Sequence, residues 1–139
     1  MTVMRFADTN VLLYSISTLP AEVPKAAVAK AMMASLDLVL SAQVLQEFYE
    51  QATRKSRADA LSHDEAAAFI RTWSRFPIQP ITLALVEAAL AIKARYQLSY
   101  WDSAIIAAAL ATGCREVLSE DMNHGQDYGG VVVINPFKS

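Results

Sequence analysis

Four acidic residues spread along the chain are of a type that could share one piece of chemistry: Asp8 in "FADTN", Glu47 in "SAQVLQEF", Asp102 in "SYWDSAIIAAALATG" and Asp121 in "SEDMNHG". Each has an ordinary explanation when taken alone. Asp8 suits a turn or a helix cap, and Glu47 suits a solvated helix face. Asp102 follows Ser99 at capping spacing, where a carboxylate also favours a helix amino end. Asp121 stands in a polar loop beside Glu120. Gathered together, they would repel one another and force one or more to bind a proton. A hard divalent cation such as Mg²⁺ or Mn²⁺ relieves that repulsion, because it prefers oxygen ligands and retains waters usable in chemistry. Such a centre polarises a phosphodiester, neutralises charge developing on its oxygens and helps generate a hydroxide nucleophile.

Whether the four meet depends on the elements that carry them. "VMRFA" reads as a short strand ending at "DTN", with "VLLYSI" as a first helix. "EVPKAAVAKAMMASLD" has Pro24 near a helix start and alanine-rich helix formers after it. "LVLS" is a second strand, and from Ser41 "SAQVLQEFYEQATRKS" sets Val44, Leu45 and Phe48 on one helical face with Glu47 beside them. Ser62 and Glu65 have capping-box spacing at the start of "SHDEAAAFIRTWSRF", which closes at Pro77. The helical "TLALVEAALAIKARY" follows the proline-bounded "PIQPI". Beyond the "SYWD" helix, Gly113 is a stop signal, and "REVLS" and "VVVINP" read as strands. Strands alternating with helices predict an α/β fold with a central, mainly parallel sheet covered on both faces. Sites in open sheets of this kind form beyond the carboxyl ends of the strands, where the four acids fall. Trp101, Ile105, Ile106 and Leu110 further suggest that the helix opened by Asp102 is buried, so that its carboxylate needs a hydrogen bond, a cation or a metal.

The 139 residues suit one domain, 1–139, with no repeat, linker or low-complexity segment. Hydrophobic residues at 54% against 19% charged argue against disorder, and no apolar run approaches the roughly 18 residues of a membrane span. The opening "MTVMRFADTN" lacks the basic and apolar regions of an export signal, so a cytoplasmic location is expected. A net charge of −2 argues against coating nucleic acid by charge alone, while allowing a local basic face. The single cysteine, Cys114, excludes an internal disulfide and reads as a small buried hydrophobe. No Ser, His or Cys triad competes with the acids: His63 falls in a cap region, and His124 has no acid–base partner nearby in sequence.

Together, "DTN" after the first strand, "SAQVLQEF", "WDSAIIAAA" and "LSEDM" resemble the PIN domain, and in particular VapC-like toxins of toxin–antitoxin modules. The resemblance runs over nearly the whole chain. It implies a three-layer α/β/α sandwich, Mg²⁺- or Mn²⁺-dependent cleavage of RNA, and a homodimer inhibited by a small antitoxin. Carried over by position, Asp8 and Asp102 become the principal metal ligands, with Glu47 and Asp121 acting directly or through water. Thr9, Asn10 and Ser103 become the hydrogen-bonding residues behind them. In the family's mechanism a metal-activated water attacks phosphorus and leaves a 5′-phosphate and a 3′-hydroxyl.

Substrate contacts are expected from Arg54, Lys55, Arg57 and Asn123, and Arg71 and Arg75 stand four apart on another helix, although a solvated face explains such residues equally well. Trp73, Phe76 and Tyr100 are candidates for stacking on bases, with core packing as the simpler role. Two competing functions remain. A phosphatase using the first-strand Asp as nucleophile would want a second acid two residues later, where this chain has Asn10. A non-catalytic binding module would share the apolar "AIIAAALA" and "ALVEAALAI" helices, which fit a dimer interface in either case.

Overall fold

A computed structural model describes residues 3–138. Met1 and Thr2, the first two residues of the stretch read for export, lie outside the described residues, as does Ser139. Strands β1 (Arg5–Ala7), β2 (Leu38–Ser41), β3 (Ile78–Gln79), β4 (Glu116–Leu118), β5 (Asp127–Tyr128) and β6 (Val131–Ile134) form one sheet in the order β3-β2-β1-β4-β6-β5. All pairings are parallel except that of β5 with β6. The central strands are apolar on both faces, and every residue of β2 is buried. Helices cover both sides of such a sheet, so its strands read as continuous hydrophobic runs.

The helices are α1 (Thr9–Ser15), α2 (Val23–Met33), α3 (Ala42–Ala52), α4 (His63–Trp73), α5 (Leu83–Tyr96) and α6 (Tyr100–Ala111), with a 3-10 turn at Pro20–Glu22 ahead of α2. α1 packs on α2 and α3, and α3 on α4, whereas α5 packs chiefly on α6. Right-handed crossovers place these two groups on opposite faces, because the chain moves outward from β1 to β3 and then crosses back to β4. The result is the expected α/β/α sandwich.

That reversal sets the site. β1 lies between β2 and β4, and Ala7 pairs with Leu118 across the point where the strand order changes direction. Crevices for ligands open at the carboxyl ends of strands at such a point. The core beneath is built from Phe6, Leu12, Leu38, Leu40, Phe48, Ile106 and Leu118, all essentially inaccessible to solvent.

Two strands were not expected from the sequence. β3 lies within "PIQPI" and β5 within the last loop, and each has only two residues. Two residues carry no period, and prolines flank β3, so neither has a hydrophobic signature of its own. The α6 helix also differs from expectation: residues 103–109 are buried, but Trp101 is 65% exposed and Leu110 40% exposed. Those two residues therefore lie outside the buried part of the helix.

Candidate active site

Asp8 is placed by two elements at once. Its backbone N–H extends the ladder from β1 to the Leu118 carbonyl at 3.0 Å. Its Oδ1 accepts from the Thr9 N–H at 2.8 Å, capping α1, and its Oδ2 accepts from the Ser119 hydroxyl at 2.7 Å. The residue is only 7% exposed. Burial pushes its pKa up to about 6; the Ser119 and Thr9 hydrogen bonds pull against this, and the nearby charges of Asp121 and Glu47 add to it.

Neighbouring polar groups fix the other acids. The Asn10 Nδ2 donates to Asp121 Oδ2 at 3.1 Å, and its Oδ1 accepts from the Glu120 N–H at 3.2 Å, tying α1 to the loop after β4. The Thr9 hydroxyl donates to Glu47 Oε2 at 3.0 Å, while Gln43, one turn earlier on α3, donates to Glu47 Oε1 at 2.8 Å. Asp102 stands in the first turn of α6, where its N–H donates to the Ser99 hydroxyl at 3.1 Å. Burial raises the pKa of its half-buried carboxyl; Ser99 opposes this, and the charges of Asp121 and Glu47 reinforce it. Thr9 and Asn10 thus contact the acids directly. Ser103 does not, because its hydroxyl donates to the Ser99 carbonyl at 2.8 Å and serves its own helix.

All four carboxylates line one cavity of about 110 Å³, together with Thr9, Asn10, Gln43, Gln51 and Trp101. Among the described residues, the ion pairs formed by Lys and Arg are with Asp37, Glu120, Glu50 and Asp59, and none involves these four. Four oxygen-rich groups with no basic partner suit a hard cation in their chemistry. Their spacing is open, however: among the described residues no three His, Cys, Asp or Glu side chains converge as a closed metal cage. An ion that keeps several of its waters and takes one or two carboxylates directly fits both observations, since Mg²⁺ dehydrates reluctantly.

Over residues 5–126 the sequence matches the PIN domain family. The chain belongs to this family. Comparison with curated proteins gave no match. Among solved structures, a chain of a toxin–antitoxin complex from Klebsiella pneumoniae superposes with a TM-score of 0.71 at 20% identity, covering 97% of this chain and 99% of that one. VapC20 of Mycobacterium tuberculosis, described as a toxin that cleaves the sarcin–ricin loop, gives 0.66 at 22% identity over 84% and 91% of the two chains. FitAcB from Neisseria gonorrhoeae gives 0.64 at 21% identity over 96% and 99%. These likenesses concern the fold.

Within this PIN domain the remaining candidates separate by position. Glu120 lies next to Asp121 but is withdrawn from the cavity by Lys25 and Tyr14; burial pushes its carboxyl pKa up, and the hydrogen bonds from those two residues outweigh it. Arg54 lines a broad groove beside the cavity and makes only a loose 3.7 Å contact with Glu50. Lys55 is exposed. Arg57 lies 2.8 Å from Asp59 in a second recess that also includes Asp121. Asn123 is exposed and does not line the cavity.

Arg71 is exposed in the last turn of α4, whereas Arg75 donates to the Thr72 and Met33 carbonyls and covers the Phe76 ring, a structural role. Trp73 and Phe76 are core residues, and Tyr100 is partly buried against the core. His63 meets the Tyr49 hydroxyl, and His124 Nδ1 accepts from the Asn135 N–H. Cys114 is buried, which pushes its thiol pKa up and leaves it unreactive. Sequence reading missed Ser119, Gln43 and Gln51, and Trp101, which it places in the core, instead lines the cavity. Of these, Gln43 and Gln51 left a signal, each standing four residues from Glu47 on α3.

Proposed function

We propose that this PIN domain is an endoribonuclease that hydrolyses RNA phosphodiester bonds with Mg²⁺ or Mn²⁺, and that it is the toxin of a toxin–antitoxin pair. The observation carrying the reading is the convergence of Asp8, Glu47, Asp102 and Asp121 on one cavity, with no basic partner among the described residues. Membership of the PIN family and the fold likeness to chains from toxin–antitoxin complexes support it. A small antitoxin, a homodimer and a cytoplasmic location follow from the same reading.

Asp8 and Asp102 would hold the ion most directly, with Glu47 and Asp121 reaching it through water. The bound cation would polarise the phosphodiester and lower the pKa of a water so that it can attack phosphorus. The chain's own groups prepare that chemistry. Ser119 and the Thr9 N–H fix the Asp8 carboxylate, Thr9 and Gln43 fix both oxygens of Glu47, and Asn10 holds Asp121. The amino end of α6 favours negative charge at Asp102 and offsets part of the mutual repulsion.

The test is cleavage of a mixed pool of structured and single-stranded RNAs with Mn²⁺, Mg²⁺ or EDTA. Wild type is compared with Asp102→Asn, and both are checked by circular dichroism. Metal-dependent cuts by wild type alone, with both proteins folded, are the expected result. The open spacing of the acids favours a second reading, a binding module that cleaves nothing. Absence of calorimetric Mn²⁺ binding by folded wild type would decide for it. A phosphatase with Asp8 as nucleophile is disfavoured, because Asn10 stands where a second acid is wanted.

A further inference from the structure

Trp101 sits in the first turn of α6 next to Asp102, yet 65% of it is exposed. The Tyr100 ring meets it edge-on, with centroids 5.1 Å apart, which supports the indole without covering it. Trp101 lines both the acid cavity and a broader groove of about 460 Å³. Gln43, Glu47 and Gln51 are shared between the two, and the groove continues along α3 past Glu50 to Arg54. The groove is therefore continuous with the proposed phosphodiester site and large enough for a nucleotide. It presents an aromatic face, the Gln51 amide and, farther along, a cation.

We infer that Trp101 is a stacking platform for an unpaired base next to the scissile phosphate, so that the substrate enters as single-stranded RNA along α3. The inference rests on the ribonuclease reading and specifies its substrate. Stacking needs no charge, so it can operate beside Glu47 and Glu50, where phosphate contacts alone would be weak. Arg54 is free to meet the next phosphate, because its contact with Glu50 at 3.7 Å is long and both side chains are largely exposed. Bases within a duplex cannot offer a face to the indole, so paired RNA is excluded.

The two tryptophans make the test direct, since Trp73 is buried and Trp101 exposed. The fluorescence of wild type is titrated with a single-stranded oligoadenylate dodecamer and with a perfectly paired RNA duplex, in Ca²⁺ to restrain turnover. Affinity is read independently from the anisotropy of labelled dodecamer for wild type, Trp101→Phe and Trp101→Ala. Saturable quenching by the single strand and little by the duplex is expected in wild type, and none in Trp101→Phe. Affinity should change less than about threefold in Trp101→Phe and fall about tenfold or more in Trp101→Ala. Unchanged affinity in Trp101→Ala overturns the inference. So does a change confined to oligomeric state in sedimentation, which would make the indole a subunit contact. Cleavage is assayed separately with Mg²⁺: cleavage without quenching removes the stacking site alone, and quenching without cleavage removes the nuclease while keeping the site.

Discussion

Asp8 is both the best supported and the least comfortable of the four acids, and its discomfort is measurable. Its folded pKa of about 6 lies above its ordinary value of 3.8. The stability that its protonated form lends is therefore complete below about pH 4 and is lost as pH rises through about 6. In EDTA, wild type should lose roughly 1–3 kcal/mol between those limits, while Asp8→Asn, which keeps the capping acceptor, should hold its stability and exceed wild type at pH 7. Urea unfolding of both proteins across that range checks this, and parallel curves would refute it. Thr9 offers a milder test. Thr9→Val keeps the volume of a buried residue but removes the hydroxyl that orients Glu47. It should lower Mn²⁺ affinity about 10- to 100-fold by calorimetry with an unchanged circular dichroism spectrum. At this scale the sequence was informative where charge was concerned. Carboxylates are costly to gather, so their recurrence beyond the carboxyl ends of strands carried meaning, and all four line the cavity. Ser119 goes unmarked and Trp101 reads as a core residue, because a serine after a strand and an aromatic in an apolar helix have ordinary explanations, and only the fold shows that both border the cavity or its acids.

Elements were readable wherever they had length or a terminal signature. Ser62 and Glu65 form the complete capping box at the start of α4, with hydrogen bonds of 2.9 and 3.1 Å. Gly113 ends α6 as a Schellman motif: its N–H donates to the Leu110 carbonyl, the Cys114 N–H donates to the Ala109 carbonyl, and its φ is +74°. An added Cβ there would meet no atom within 4 Å, so Gly113→Ala isolates the backbone cost of the left-handed conformation. That substitution should destabilise by about 1 kcal/mol, read as a lower urea midpoint at constant slope. β3 and β5 were unreadable because pairing to an existing neighbour, rather than any pattern of their own, defines them. The misjudged ends of α6 have a similar cause. Apolar composition marked the helix as buried throughout, but only its middle, residues 103–109, is covered, leaving Trp101 at one end and Leu110 at the other in solvent.

For the whole molecule, the uncompensated acids link stability to the ion they are proposed to hold. At pH 7, Mn²⁺ at a hundred times its dissociation constant should add about 2.7 kcal/mol, a rise of several degrees in melting temperature. Asp102→Asn should show much less of that rise in differential scanning calorimetry, and an equal rise in both proteins would place the ion elsewhere. The mainly parallel α/β architecture followed from alternating strand and helix patterns, whereas the strand order did not. Nothing local records that β4, made after β2 and β3, returns to pair with β1. That return has a consequence for biosynthesis. The cavity joins Asp8, near the start of the chain, to Ser119 and Asp121, near its end, through a ladder that cannot exist until β4 has been made. A nascent chain still short of residue 121 has its first catalytic candidate in hand but neither the hydroxyl that holds it nor the acid opposite. If the chain is the ribonuclease proposed, its topology would delay competence until residue 121 has been added and β4 has paired with β1.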